Sequence, residues 1–222
     1  MKNLILLLCL IIPFGYVSAQ TEDAEADSSD EDDFVLVIPP INEQLKVGVK
    51  MGTGAGMMVG DKLQNPRPKY VISGGGYLHY RFSKHWSLQP EINFSFRGSN
   101  FANGDNEYTS ITMYTADFPL LIMLGLNEKN RANVFVGGQY SHTLNRAMYT
   151  KGGVVPESPT PAMHNDDWFA VAGAQFHTPF LGFQIAAKYG LRDLNTGLSP
   201  TMKPVNASGE IHQAILELNI LF

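Results

Sequence analysis

Cysteine is almost missing from this chain: Cys9 is the only one in 222 residues, and it lies inside a leading apolar run. That excludes an internal disulfide and any thiolate-rich metal site. Long apolar runs are missing too, since no segment reaches the roughly 20 residues a spanning helix needs. A chain of this kind can enter a membrane only as a closed barrel, the other fold that satisfies every backbone group in lipid. No basic stripe exists, so nucleic-acid binding has no support. The glycines of 48–60 lack a Gly-Lys-Ser/Thr ending and precede no helical pattern, which excludes a phosphate loop.

What is present begins with the two ends. Lys2, an unbroken apolar run from Leu4 to Ile12 and the small residues Val17-Ser18-Ala19 have the order of a secretory signal peptide over 1–19. Residues 21–33, TEDAEADSSDEDD, carry eight acids and no base. Such a run cannot bury enough apolar surface to fold, so 20–44 reads as an acidic, largely disordered periplasmic segment. At the other end, IHQAILELNILF sets Ala214, Leu216, Leu218, Ile220 and Phe222 on one face and Gln213, Glu217 and Asn219 on the other.

Between them the period is two. In WSLQPEINFSFR, Trp86, Leu88, Pro90, Ile92, Phe94 and Phe96 share one face, while Ser87, Gln89, Glu91, Asn93, Ser95 and Arg97 share the other. Eight segments alternate in this way, at about 45–58, 71–82, 86–97, 111–126, 133–145, 167–177, 183–192 and 211–222. Most supply the nine to eleven residues of a tilted membrane strand. Short connections near 83–85, 127–132 and 178–181 alternate with long ones at 59–70, 98–110, 146–166 and 193–210. Short periplasmic turns and long outer loops belong to an outer-membrane barrel. Aromatic residues gather at both strand ends, as in interfacial belts. The expectation is all-β: an eight-stranded antiparallel up-and-down transmembrane β-barrel over 45–222. A secreted soluble barrel holding a small apolar ligand is the competing reading.

Four stretches, KVGVKMGTGAG at 46–56, LQPEINFSFRG at 88–98, DFPLLIML at 117–124 and YGLRDL at 189–194, resemble the PorT-like outer-membrane β-barrel family of Gram-negative bacteria. The resemblance implies the fold and the outer membrane, and it carries no catalytic motif. The terminal strand ending in Phe222 resembles the signal read by the barrel-insertion machinery.

With apolar faces in lipid, polar faces line the lumen. Lys50, Arg81, Glu91, Arg97, Asp117, Lys188 and Glu217 are the expected lumen charges, and inside a barrel this narrow they must pair. A filled lumen is expected, with a narrow pore for ions or small solutes as the alternative. Pro90 and Pro119 remove ladder donors, which predicts a bulge at each. His142, His164, Asp166, Asp167 and His212 lie near loops, without the fixed spacing of a catalytic or metal motif. No enzyme, metal or cofactor is expected. The expected partners are outer-membrane lipid and an envelope protein or extracellular ligand met by the loops or the N-terminal segment.

Overall fold

The computed structural model describes residues 45–61, 63, 65–102, 108–126, 131–150, 163–178, 180–196 and 209–222. The expected signal peptide and acidic segment, and the proline-rich stretches 151–162 and 197–208, lie outside the described residues. Eight strands follow in chain order: β1 (Leu45–Val59), β2 (Pro66–Arg81), β3 (Trp86–Ala102), β4 (Tyr108–Gly125), β5 (Ala132–Thr150), β6 (Asp166–His177), β7 (Gly182–Gly190) and β8 (His212–Leu221). Each pairs antiparallel with its neighbours in sequence, and β8 returns to β1, so the sheet is a closed barrel. The chain terminus completes the seam. Phe222 N donates to Val49 O at 2.9 Å, and Val49 N donates to Phe222 O at 3.2 Å. Closure leaves no sheet edge, which is what permits a strand protein to sit in lipid.

The two faces of the wall invert the order of a soluble protein. On β3, Gln89, Glu91, Asn93, Ser95 and Arg97 point inward and are buried, while Ile92 and Phe94 point outward and are 50% and 62% exposed. Val47, Val49 and Met51 on β1 and Leu216, Leu218 and Ile220 on β8 are likewise exposed. Burial of charge inside and exposure of apolar side chains outside is stable only with hydrocarbon around the barrel. On that outer wall, aromatic rings form runs across strands. Phe96 lies 5.7 Å from Tyr70 and 5.2 Å from Tyr114, and Tyr140 lies 5.1 Å from Trp168.

Two expectations are corrected. Half of 59–70 and most of 98–110 are strand rather than long loop: β2 starts at Pro66, β3 runs to Ala102 and β4 begins at Tyr108. Their sequence turns polar because the walls there rise past the apolar belt, not because the backbone leaves the sheet. β3, β4 and β5 have 17, 18 and 19 residues, well beyond what a tilted crossing needs. The distinctly long connections are 151–165 and 191–211. Asn65, with φ of 45°, makes the left-handed step into β2, a conformation asparagine tolerates better than most residues.

The second correction concerns the prolines. Pro90 pairs with Leu120 and the β3–β4 register resumes unchanged at Asn93 and Asp117, so neither Pro90 nor Pro119 marks a bulge. Each missing N–H removes one ladder bond, and the intact pairs on either side hold the register without an inserted residue. The register shifts lie elsewhere, between Pro68 and Ile72 of β2 and between Tyr114 and Thr115 along β4. At the first, Lys69 turns its ammonium to Ser110 Oγ at 2.8 Å and to Thr112 Oγ1, 5.4 Å from the Phe96 ring centre.

Candidate functional site

Among the described residues, the lumen is where charges gather out of water, so its contents decide what the barrel can do. Strand alternation aims every second side chain inward, and eight strands leave an interior that side chains can fill. Six of the seven expected lumen charges meet in three pairs. Lys50 Nζ is 2.5 Å from Glu91 Oε2, Lys188 Nζ is 2.9 Å from Glu217 Oε2, and Arg97 Nη1 is 3.4 Å from Asp117 Oδ1. Every one of these side chains is at least 97% buried. Arg81 stands apart at the short-turn end of β2, half-buried and in none of these pairs.

Neutral polar side chains extend the pairs. Gln89 Nε2 donates to Glu91 Oε1 at 2.8 Å and Asn93 Nδ2 to Glu91 Oε2 at 2.9 Å. Lys50 also reaches Gln184 Oε1 at 3.3 Å, which accepts from Asn219 Nδ2 at 3.2 Å. Gln184 Nε2 in turn donates to Gln175 Oε1 at 3.2 Å. One connected network thus ties β1, β3, β6, β7 and β8 together. Around the Arg97–Asp117 pair, Ser95 Oγ donates to Asp117 Oδ2 at 2.5 Å, and the Arg97 guanidinium lies 4.8 Å from the Phe169 ring centre. Gly52 makes room for this packing, because a Cβ there would strike the buried Asn219 amide.

Apolar side chains share the interior, which the polar-face pattern does not reveal. Val71, Leu121, Met123, Phe135, Phe169, Val171 and Ile215 form one buried cluster. Its signal in the sequence is weak: β4 reads apolar on both faces around Leu120, Leu121, Ile122 and Met123. A second cluster, Met58, Phe101, Ile111, Met113, Met163, Leu194 and Ile211, lies at the long-loop end. Met163 and Leu194 come from the connections themselves. Arg146 Nη1 and Nη2 hold the first to the wall by donating to Met163 O and His164 O at 3.2 and 3.0 Å. His164 N donates to Leu194 O at 3.0 Å, and Leu194 N to Ile211 O at 2.9 Å.

Asp193 pins the second connection, accepting from the backbone N–H groups of Asn195 and Ile211, both at 2.9 Å. Desolvation opposes its charge, but those two donors and the neighbouring His212 and His164 outweigh it, so its pKa lies below the usual carboxylate range.

The loop-end histidines do not converge. His142 Nδ1 and Tyr140 Oη both meet Asp166 Oδ1 at 2.7 Å, where β6 begins beside the middle of β5. His164 instead faces Arg192 at 3.1 Å, and His212 faces Glu210 at 3.6 Å. Asp167 turns to the Arg192 backbone N–H at 3.3 Å. Among the described residues, no three His, Cys, Asp or Glu side chains are grouped to hold a metal ion.

Sequence and fold comparisons bear on this geometry. No curated protein matches the chain. Among solved structures, Neisserial surface protein A is similar at 11% identity and a TM-score of 0.49, over 81% of this chain and 98% of that one. OprG of Pseudomonas aeruginosa has 11% identity and a TM-score of 0.43, covering 79% of this chain and 95% of that one. Ail of Yersinia pestis, in complex with the heparin analogue sucrose octasulfate, has 12% identity and a TM-score of 0.36, covering 79% and 97%. A family model described as outer membrane protein beta-barrel domain matches residues 19–196. The chain therefore belongs to the outer membrane protein beta-barrel domain family, and its place is the bacterial outer membrane.

Proposed function

We propose that this protein is a non-catalytic outer-membrane barrel, PorT-like in type, whose lumen is closed by its own side chains. Its role is then structural or one of interaction, through the outer loops and the N-terminal segment. The observation that carries this reading is the set of three buried ion pairs, the first of them tied by glutamine and asparagine side chains into a network across five strands. A pore for ions needs a continuous wet path, and the three ion pairs together with the apolar side chains around Val71, Phe135 and Phe169 fill the lumen where such a path would run. The apolar cluster beneath the long connections adds a dry layer at that end.

Breaking such a network costs much more than leaving it in place. Removal of one member of a buried pair strands its partner, at about 3–5 kcal/mol. The barrel is thus built to hold one closed interior rather than to open transiently.

Liposome swelling tests the proposal. Vesicles carrying the purified full chain are diluted into isosmotic arabinose or sodium chloride, beside vesicles carrying a known large porin. The expected outcome is no swelling above protein-free vesicles; swelling at a rate that scales with the amount of this protein would reject the closed-lumen reading.

A further inference from the structure

Two inward-facing bases outside the three lumen pairs sit together at one mouth. Lys46 lies directly across the β1–β2 ladder from His79, and Arg81 follows two residues later on the same face of β2. Side chains directly opposite on a ladder start about 4.5–5.5 Å apart, and like charges there repel. From β6, on the far wall, His177 reaches across until its ring centre is 6.4 Å from that of His79, edge to face. Four nitrogenous side chains from three strands therefore ring the short-turn opening, which faces the periplasm in barrels of this type.

Lys46 and Arg81 form no ion pair among the described residues, whereas Lys50, Arg97 and Lys188 each have an acid. Phe222 O, at this end, accepts from Tyr77 Oη at 3.3 Å and from Val49 N at 3.2 Å. The acids outside the lumen gather at the other end, at Asp61, Asp166, Asp193 and Glu210.

The imidazoles are oriented from behind. Gln89 spends its amide N–H on Glu91, so its Oε1, 3.1 Å away, accepts from His79 Nδ1. Gln175 accepts from Gln184 through Oε1, so its Nε2 donates to His177 Nε2 at 2.5 Å. That leaves the proton of neutral His177 on Nδ1, the edge beside Gly182, where no side chain from β7 covers it.

We propose that Lys46, Arg81, His79 and His177 form an oxyanion site open to the periplasm, which takes a phosphate group. Two fixed positive charges and an oriented imidazole N–H, approaching from three walls, match a dianionic tetrahedral group better than a planar carboxylate, which one guanidinium fork suffices to hold. The four residues face inward, so the phosphate belongs to a soluble molecule rather than to the surrounding lipid. This site does not depend on whether the lumen conducts.

The test uses the full chain with ¹⁵N-labelled histidine in nonionic detergent, followed by imidazole NMR as inorganic phosphate replaces chloride at constant ionic strength. Saturable shifts of His79 and His177, weakened about tenfold or more by K46Q or R81Q and unchanged by R67Q at the far end, are expected. In a second arm, phosphatidylglycerol is added to the micelles without free phosphate; shifts in this arm alone would overturn the soluble source. Shifts no larger than those given by chloride, or K46Q and R81Q titrating like the unmodified chain, would overturn the site itself.

Discussion

Lys50 and Glu91 meet at 2.5 Å from strands that are not neighbours, β1 and β3, with Gly75 of β2 opposite Lys50 in the intervening strand. A longer side chain at 75 would run into Asn93 and the β3 backbone. The pair is thus a cross-lumen tie, and its energetics differ from those of a surface ion pair. Replacing Lys50 by Met leaves Glu91 buried without its cation and is expected to destabilise the barrel by about 3–5 kcal/mol. Replacing both by Met removes the uncompensated charge and should recover most of that loss. Equilibrium urea unfolding in vesicles measures both, and additive losses in the double variant would contradict the coupling.

The lipid-facing assignment has its own test. β8 spans His212–Leu221, a length close to a single tilted crossing, so Leu216 falls near the middle of the belt and is 51% exposed. Leu216→Arg should cost about 2–4 kcal/mol, whereas Leu126→Arg, just past the end of β4, should cost about 1 kcal/mol or less. Refolding into vesicles with urea titration compares the two. Equal costs would mean that the apolar face does not see hydrocarbon.

Gly52 and Asn219 occupy one space. Gly52→Ala forces the Asn219 amide away from Gln184 and should destabilise by about 1–3 kcal/mol, the usual scale of overpacking. Asn219→Ala made alongside it should restore most of the loss, because Gln184 Oε1 keeps Lys50 as a donor. Thermal unfolding in detergent reads both variants, and the expectation fails if the second substitution deepens the first.

Asp193 makes the β7–β8 connection acid-sensitive. Its folded pKa lies below its unfolded value of about 4, so its contribution is complete above that pH and is lost as pH falls through the folded value. Limited proteolysis of 197–208 should therefore quicken on strong acidification. Asp193→Ala at neutral pH should be cut at the acidified rate, since Asn195 and Ile211 lose their acceptor; an unchanged rate would remove Asp193 as the pin.

Much of this was open to a reading of residues in order. In WSLQPEINFSFR the alternation alone places Glu91 inside and Phe94 outside, and the need of a buried carboxylate for a cation follows from charge burial. Which cation it meets does not follow. Lys50 reaches Glu91 because strand tilt and curvature bring alternate walls together, and period-two patterning carries no such information. The apolar lumen cluster escaped for a related reason: Leu120, Leu121, Ile122 and Met123 are apolar on both faces, so the period that separates inside from outside vanishes. Pro90 misled because a missing donor and a shifted register are different things, and the ladder around it absorbs the first without the second. The register shifts that do occur, at Lys69–Val71 against Arg97–Gly98 and between Tyr114 and Thr115 opposite Thr143–Asn145, leave no mark in the pattern. His79 and His177 share the inward phase of Arg81 and Gln175, but only the closed barrel brings their rings together from opposite walls.

Single-channel recording from planar bilayers tests the closed lumen most directly. The purified full chain, inserted at protein amounts at which a known porin gives discrete steps, is expected to give none in molar potassium chloride, because Lys50–Glu91, Arg97–Asp117 and Lys188–Glu217 hold the interior shut. Steady, voltage-independent steps whose frequency rises with the amount of protein would contradict that reading and make the barrel a narrow pore.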